Sequence, residues 1–220
     1  LKLSKEGPHK TLPTPRLVRI LFGGEYIVQT TSALFVWEHP YYPQYYIPSS
    51  TLLESKAPNF TATQGEAIKD PNDTTIAHRY TIRVNTRETN DVLVFSSTLS
   101  GPASLVAGLA RISFAAMDRW FEESMPIYVH PKDPFKRVDV LPSTRHVQVY
   151  VNDVKVADSR SSMHLYETGL PARFYLPLTD VDASKLRPSK TKTQCPYKGE
   201  AEYYSVETGE GKVATDVVWF

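Results

Sequence analysis

The sequence predicts a mainly β protein built from two small tandem domains, with a short helix after the first. Three observations carry this. Arg16 to Pro48 (RLVRILFGGEYIVQTTSALFVWEHPYYPQYYIP) lies over Arg145 to Pro177 (RHVQVYVNDVKVADSRSSMHLYETGLPARFYLP) without a gap, at a constant offset of 129. Both copies alternate polar and apolar residues, the period-2 mark of a half-buried strand. Gly23-Gly24 and Asn152-Asp153, pairs that suit a tight hairpin turn, fall at the same place in the two copies. Identities are few (Arg16/Arg145, Val18/Val147, Ser32/Ser161, Glu38/Glu167, Tyr46/Tyr175, Pro48/Pro177), but chemical class stays in step, which a duplicated domain explains.

Taken in order, residues 1–15 form an N-terminal arm and 16–124 the first, more degenerate repeat. Residues 145–220 form the second repeat, possessing no counterpart of the first repeat's last segments and so read as truncated at its C-terminus. In the second copy, strands are expected over Arg145–Val151, Val154–Ala157 and Met163–Glu167. A fourth is expected over Arg173–Leu176, at an edge because Pro171 and Pro177 bracket it. DVLVF (Asp91–Phe95) matches DVVWF (Asp216–Phe220) at an offset of 125, which assigns the first copy a longer surface loop over Thr61 to Thr75. GLARISFAA continues the first copy as a strand. MDRWFEES then reads as a short helix, with Met117 to Phe121 capping the core, Trp120 buried, and Glu122 and Glu123 solvated. HPYYPQYYIP (His39–Pro48) reads as a half-buried edge hairpin. Residues 125–144 hold Pro126, Pro131, Pro134 and Pro142 and read as a stiff extended connector.

Composition removes several classes of function. With 25 Lys plus Arg against 24 Asp plus Glu there is no global field to draw nucleic acid or an anionic membrane. No apolar run approaches the roughly 20 residues of a membrane span. One cysteine, Cys195, excludes an internal disulfide and a multi-cysteine metal site, and suits a reducing, cytoplasmic setting. Two glycosylation triplets, at Asn59 and Asn72, point the other way but occur often by chance. The six histidines lack paired spacing, so neither metal nor cofactor is expected. The chain begins without methionine and reads as a trimmed piece.

Chemistry concentrates in the second copy. Cys195-Pro196-Tyr197-Lys198-Gly199 sets a thiol and an ammonium three residues apart on a tight turn. A neighbouring cation favours the thiolate, so Cys195 and Lys198 are the candidate catalytic residues. HVQVYVNDVKVADS, YETGLPARFYLPLTDV, LRPSKTKTQCPYKGEAEYYSV and DVVWF together resemble the domain of unknown function family 427, whose members also carry a nucleotidyltransferase label. The resemblance is strong over 145–220 and looser over Arg16 to Phe121. It implies small tent-like β domains, two sheets leaning together as in methionine sulfoxide reductases and related zinc proteins. A single cysteine cannot supply the paired-cysteine zinc site of those relatives. The chain also lacks the glycine loop or carboxylate cluster that nucleotidyl transfer would need.

The expectation is a protein that binds a small polar or anionic ligand at its second repeat. Glu167, Arg173, Tyr175, Cys195, Lys198 and Tyr203 would share one concave face, with the first repeat as structural partner. In the competing structural reading Glu167 pairs with Lys198 and the tyrosines belong to the core. An enzyme of transferase or hydrolase type using Cys195 or Lys198 is one alternative, and a purely structural or interaction module is another. Repeat–repeat packing within the chain would close the second domain, and a homo-oligomer is compatible with the composition.

Overall fold

A computed structural model of the chain describes residues 2–209 and 211–220. The chain is mainly β and divides into two compact units, 1–132 and 133–220. In the first unit a short helix α1 (Lys2–Glu6) precedes β1 (Lys10–Pro13), β2 (Val18–Phe22), β3 (Glu25–Thr30), β4 (Leu34–Trp37) and β5 (Gln44–Pro48). Helix α2 (Ser49–Leu53) follows, then β6 (Phe60–Lys69), β7 (Thr75–Val84), β8 (Arg87–Phe95), β9 (Leu109–Ile112), β10 (Arg119–Glu122) and β11 (Met125–Ile127). The second unit holds β12 (Val138–Ser143), β13 (Val147–Val151), β14 (Val154–Ser159), β15 (Ser162–Glu167) and β16 (Arg173–Tyr175), then β17 (Leu186–Cys195), β18 (Gly199–Glu207) and β19 (Val213–Trp219).

Two antiparallel sheets enclose the core of the first unit, one seven-stranded (β1-β4-β5-β9-β8-β7-β6) and one four-stranded (β11-β10-β2-β3). Val18, Ile20, Phe22 and Trp120 meet Phe35, Tyr45, Ile47, Ile82 and Val92 between them. The intervening residues of the larger sheet, Val36, Tyr46, Ala77 and Phe95, are buried on its other face under Leu3, Ile68 and Leu93. A sheet covered on both faces selects consecutive apolar residues, which is why LFVW and YYI do not alternate.

The corresponding strands of the two units pair in the same register. Val18↔Thr30, Ile20↔Val28 and Leu21↔Tyr26 recur as Val147↔Ser159, Val149↔Ala157 and Tyr150↔Lys155, with the irregularity at the same step. Likewise Leu34↔Tyr46 recurs as Met163↔Tyr175, and Lys10↔Trp37 as Asp139↔Tyr166. Glu38 therefore follows β4 as Glu167 ends β15. The units differ where β9 lies. That strand pairs with both β5 and β8 and joins six other strands into one sheet. Among the described residues no strand pairs with both β16 and β19, and the second unit has two three-stranded sheets, β12-β15-β16 and β17-β18-β19, beside the hairpin β13-β14.

Several sequence expectations are corrected. The Met117–Phe121 helix is instead a 3-10 turn (Phe114–Ala116) followed by strand β10, which pairs with β2; Trp120 is buried as expected. Glu122 is not solvated: Oε1 accepts from the Tyr45 hydroxyl at 2.9 Å and Oε2 from Arg16 at 2.6 Å. Thr61 to Thr75 is mostly the long hairpin β6–β7, and the true turn is Asp70–Thr74, where Asp70 Oδ1 accepts from the backbone of Asn72 and Thr74. Because β6 is an edge strand with long exposed stretches, it shows little apolar alternation. The tyrosine-rich segment is no edge hairpin, since β5 lies between β4 and β9 with Tyr45 and Tyr46 buried. Residues 125–144 contribute β11 to the first unit and β12 to the second. Pro126, Pro142, Pro13 and Pro188 all sit on edge strands, where a missing N–H breaks no ladder.

The turn between β2 and β3 yields a prediction. Gly23 and Gly24 both have positive φ, 61° and 85°, but a Cβ on Gly23 would lie 2.7 Å from the Val84 carbonyl oxygen, whereas Gly24 faces open space. Gly23→Ala should cost about 2–4 kcal/mol and Gly24→Ala about 1 kcal/mol in urea denaturation. Equal losses would show that the close approach to β7 does not matter.

Candidate functional site

The site is built from the turn between β17 and β18. Cys195 pairs with Gly199 across it, and Gly199 takes a φ of 84° that closes the turn around Pro196, Tyr197 and Lys198. The Tyr197 hydroxyl accepts from the Asp133 backbone N–H at 2.8 Å, anchoring the turn to the start of the unit. Lys198 is thereby held over the end of β15, where its Nζ donates to Glu167 Oε2 at 2.8 Å. Glu167 keeps only 5% of its side chain exposed against 32% for Lys198. The carboxylate at the strand end is thus matched by the ammonium of the cysteine-containing turn, as in the structural reading.

Lys198 also lines a cavity of about 280 Å³, walled with it by Arg173, Tyr175, Cys195, Tyr203 and Trp219. Five of the six residues expected from sequence thus meet at one cavity. Glu167 does not line it and sits behind Lys198. Trp219 was missed; its Nε1 donates to the Tyr175 hydroxyl at 3.3 Å. The Tyr203 hydroxyl shares a 2.8 Å hydrogen bond with Thr193. Arg173 donates from Nη1 to the carbonyls of Pro171 and Ala172, and among the described residues it has no ion pair.

The electrostatics make Lys198 a cation. Burial works against its charge, but the hydrogen bond and charge of Glu167 outweigh burial and hold it above the ordinary lysine value. Glu167 thus favours the protonated form of Lys198. Tyr197 is pushed up to about 12, first by burial and then by Asp133 and Glu167, against the hydrogen bond from the Asp133 backbone.

The first unit meets the same requirement differently. Glu38 occupies the position of Glu167 and Tyr46 that of Tyr175, but the cation is Arg111, carried by β9. Arg111 Nε donates to Glu38 Oε1 at 2.7 Å, and the Tyr46 hydroxyl donates to the same oxygen at 3.0 Å. Burial and Glu38 push the Tyr46 phenol far above its usual range, with Arg111 pulling the other way. A cavity of about 730 Å³ adjoins this triad. Sequence reasoning gave the first repeat only a structural role; the signal available to it was the recurrence of the Glu and Tyr at one offset.

Comparison with known families settles what the chain is. A family model described as a domain of unknown function (DUF427), labelled NTP_transf_9, matches residues 10–123 and again 139–220. The chain belongs to the DUF427 family. One matched segment falls in each of the two units. A comparison with curated proteins finds no match. Among the described residues no helix is long and apolar enough to cross a membrane.

Two predictions follow from the pair and its turn. Lys198→Met leaves the buried Glu167 carboxylate without its cation and should cost about 2–3 kcal/mol by urea denaturation, whereas Arg173→Gln should stay within about 0.5 kcal/mol; comparable losses would contradict the assigned partners. For Tyr197 the folded value lies above the ordinary 10.0, so its stabilising contribution is complete below pH 10 and lost as pH rises toward 12. The stability difference between the native chain and Tyr197→Phe should therefore shrink over that interval, and a constant difference would refute the shift.

Proposed function

We propose that the second unit of this DUF427 protein binds a small anionic molecule with a flat apolar body. The single observation that carries this reading is the Arg173 guanidinium, which has no acidic partner among the described residues and lines a cavity with Tyr175, Tyr203 and Trp219. A planar guanidinium matches a carboxylate in two places, and aromatic rings stack a flat ligand. Lys198 gives one of its three N–H donors to Glu167 and retains others for the ligand. At about 280 Å³ the cavity is just below the roughly 300–1,000 Å³ usual for drug-sized ligands, which favours a single ring. In this reading Glu167 positions Lys198, and Cys195 is a wall residue. The two units are taken as copies of one ancestral domain, a view supported by their shared registers.

Benzoate is the probe. It should perturb the Trp219 indole signal saturably in a nitrogen-15 NMR titration, and slow the alkylation of Cys195 by iodoacetamide. Arg173→Gln should weaken binding about tenfold or more. Equal benzoate affinity in the native chain and Arg173→Gln, or shifts that never saturate, would rule the proposal out.

A further inference from the structure

The cavity of the first unit differs from that of the second in size and in chemistry. Its floor is the outer face of the seven-stranded sheet, where Tyr46 stacks on Phe95 with ring centres 5.6 Å apart, and Ile68, Ile76 and Leu93 extend the apolar surface. Glu38 and Arg111 stand in the wall with 28% and 32% of their side chains exposed. Glu38 Oε1 is occupied by Arg111 Nε and the Tyr46 hydroxyl, which fixes both charged side chains in place. Among the described residues, Glu38 Oε2 and the terminal nitrogens of Arg111 make no hydrogen bond. An acceptor and donors are thus presented side by side against an aromatic floor, and neither has to leave its partner to meet a ligand.

We propose that the first unit is a second ligand site, specific for a neutral molecule with a flat apolar body of about two fused rings and one amide-like edge. The edge's N–H donates to Glu38 Oε2, and its carbonyl accepts from the Arg111 guanidinium. Charge decides against the alternatives. An anion would meet the carboxylates of Glu38 and Glu6, and a cation would meet Arg111, whereas a neutral donor–acceptor edge satisfies Glu38 and Arg111 without separating them. A cavity of about 730 Å³ accepts a bicyclic body, which the smaller cavity of the second unit does not favour. The inference is independent of the benzoate reading, since it concerns another unit and an uncharged ligand.

The test is a methyl NMR titration of the full chain with 2-naphthamide and, separately, 2-naphthoate. The expected result is saturable shifts at Ile68, Ile76 and Leu93 with 2-naphthamide, at least about tenfold tighter than with 2-naphthoate. In Glu38→Gln the anion no longer faces the Glu38 carboxylate, so this preference should fall to about twofold or less. If Glu38→Gln fails to fold, intermolecular NOEs from the naphthalene protons to Tyr46 and Phe95 in the native chain decide the matter. Absence of saturable shifts, equal affinity for the two probes, a preference that survives Glu38→Gln, or missing NOEs would overturn the proposal.

Discussion

A carboxylate at the end of a strand next to the core has to be met by a cation, and each unit of this protein is arranged around that requirement. Glu38 and Glu167 follow from the same register, because the strands that deliver them pair with their neighbours residue for residue alike. Removing an ion from water is expensive unless a partner with good geometry replaces the lost hydration. The first unit finds its partner in Arg111, on a strand that also completes the sheet, so the ion pair and the continuity of seven strands come from one segment. The second unit draws its partner from the turn between β17 and β18.

This arrangement explains why the cysteine-containing turn looks so distinctive in the sequence. Proline and glycine shape the turn, Tyr197 anchors it to Asp133, and the result is a lysine held over a buried glutamate. The side chains around it then form the wall of a cavity. In the first unit the same face of the sheet is walled by aromatic and aliphatic residues, with the ion pair at one place in the wall. A shared framework thus presents two chemistries: one with an uncommitted guanidinium, the other with a carboxylate and a guanidinium already neutralising each other. The binding readings differ between the units for that reason.

Much of this was legible in the sequence where local pattern and tertiary environment agree. The strands β2, β3 and β14 bury one face and β13 half-buries one, so alternation, turn chemistry and the constant offset all marked them. The Glu167–Lys198 pair was visible as one of two readings because both residues sit at turns with strong glycine and proline signals. Legibility failed where tertiary pairing overrides local preference. MDRWFEE is rich in helix-compatible residues, yet β2 offers an open ladder and a core that takes Trp120, and the segment becomes a strand. The exposed edge strand β6 carries little apolar alternation and looked like a loop. Arg111 could not be assigned at all, since its partner lies 73 residues away.

The central claim, that equivalent carboxylates are held by different cations, is tested most directly by two double-mutant cycles measured by urea denaturation. One crosses Glu38→Gln with Arg111→Gln, and the other crosses Glu167→Gln with Lys198→Gln. Each cycle should give a coupling energy of about 1–3 kcal/mol, and a control cycle between Glu167 and Arg173 should give less than about 0.5 kcal/mol. A coupling within error of zero for either ion pair, or one as large for the Glu167–Arg173 control, would contradict the account.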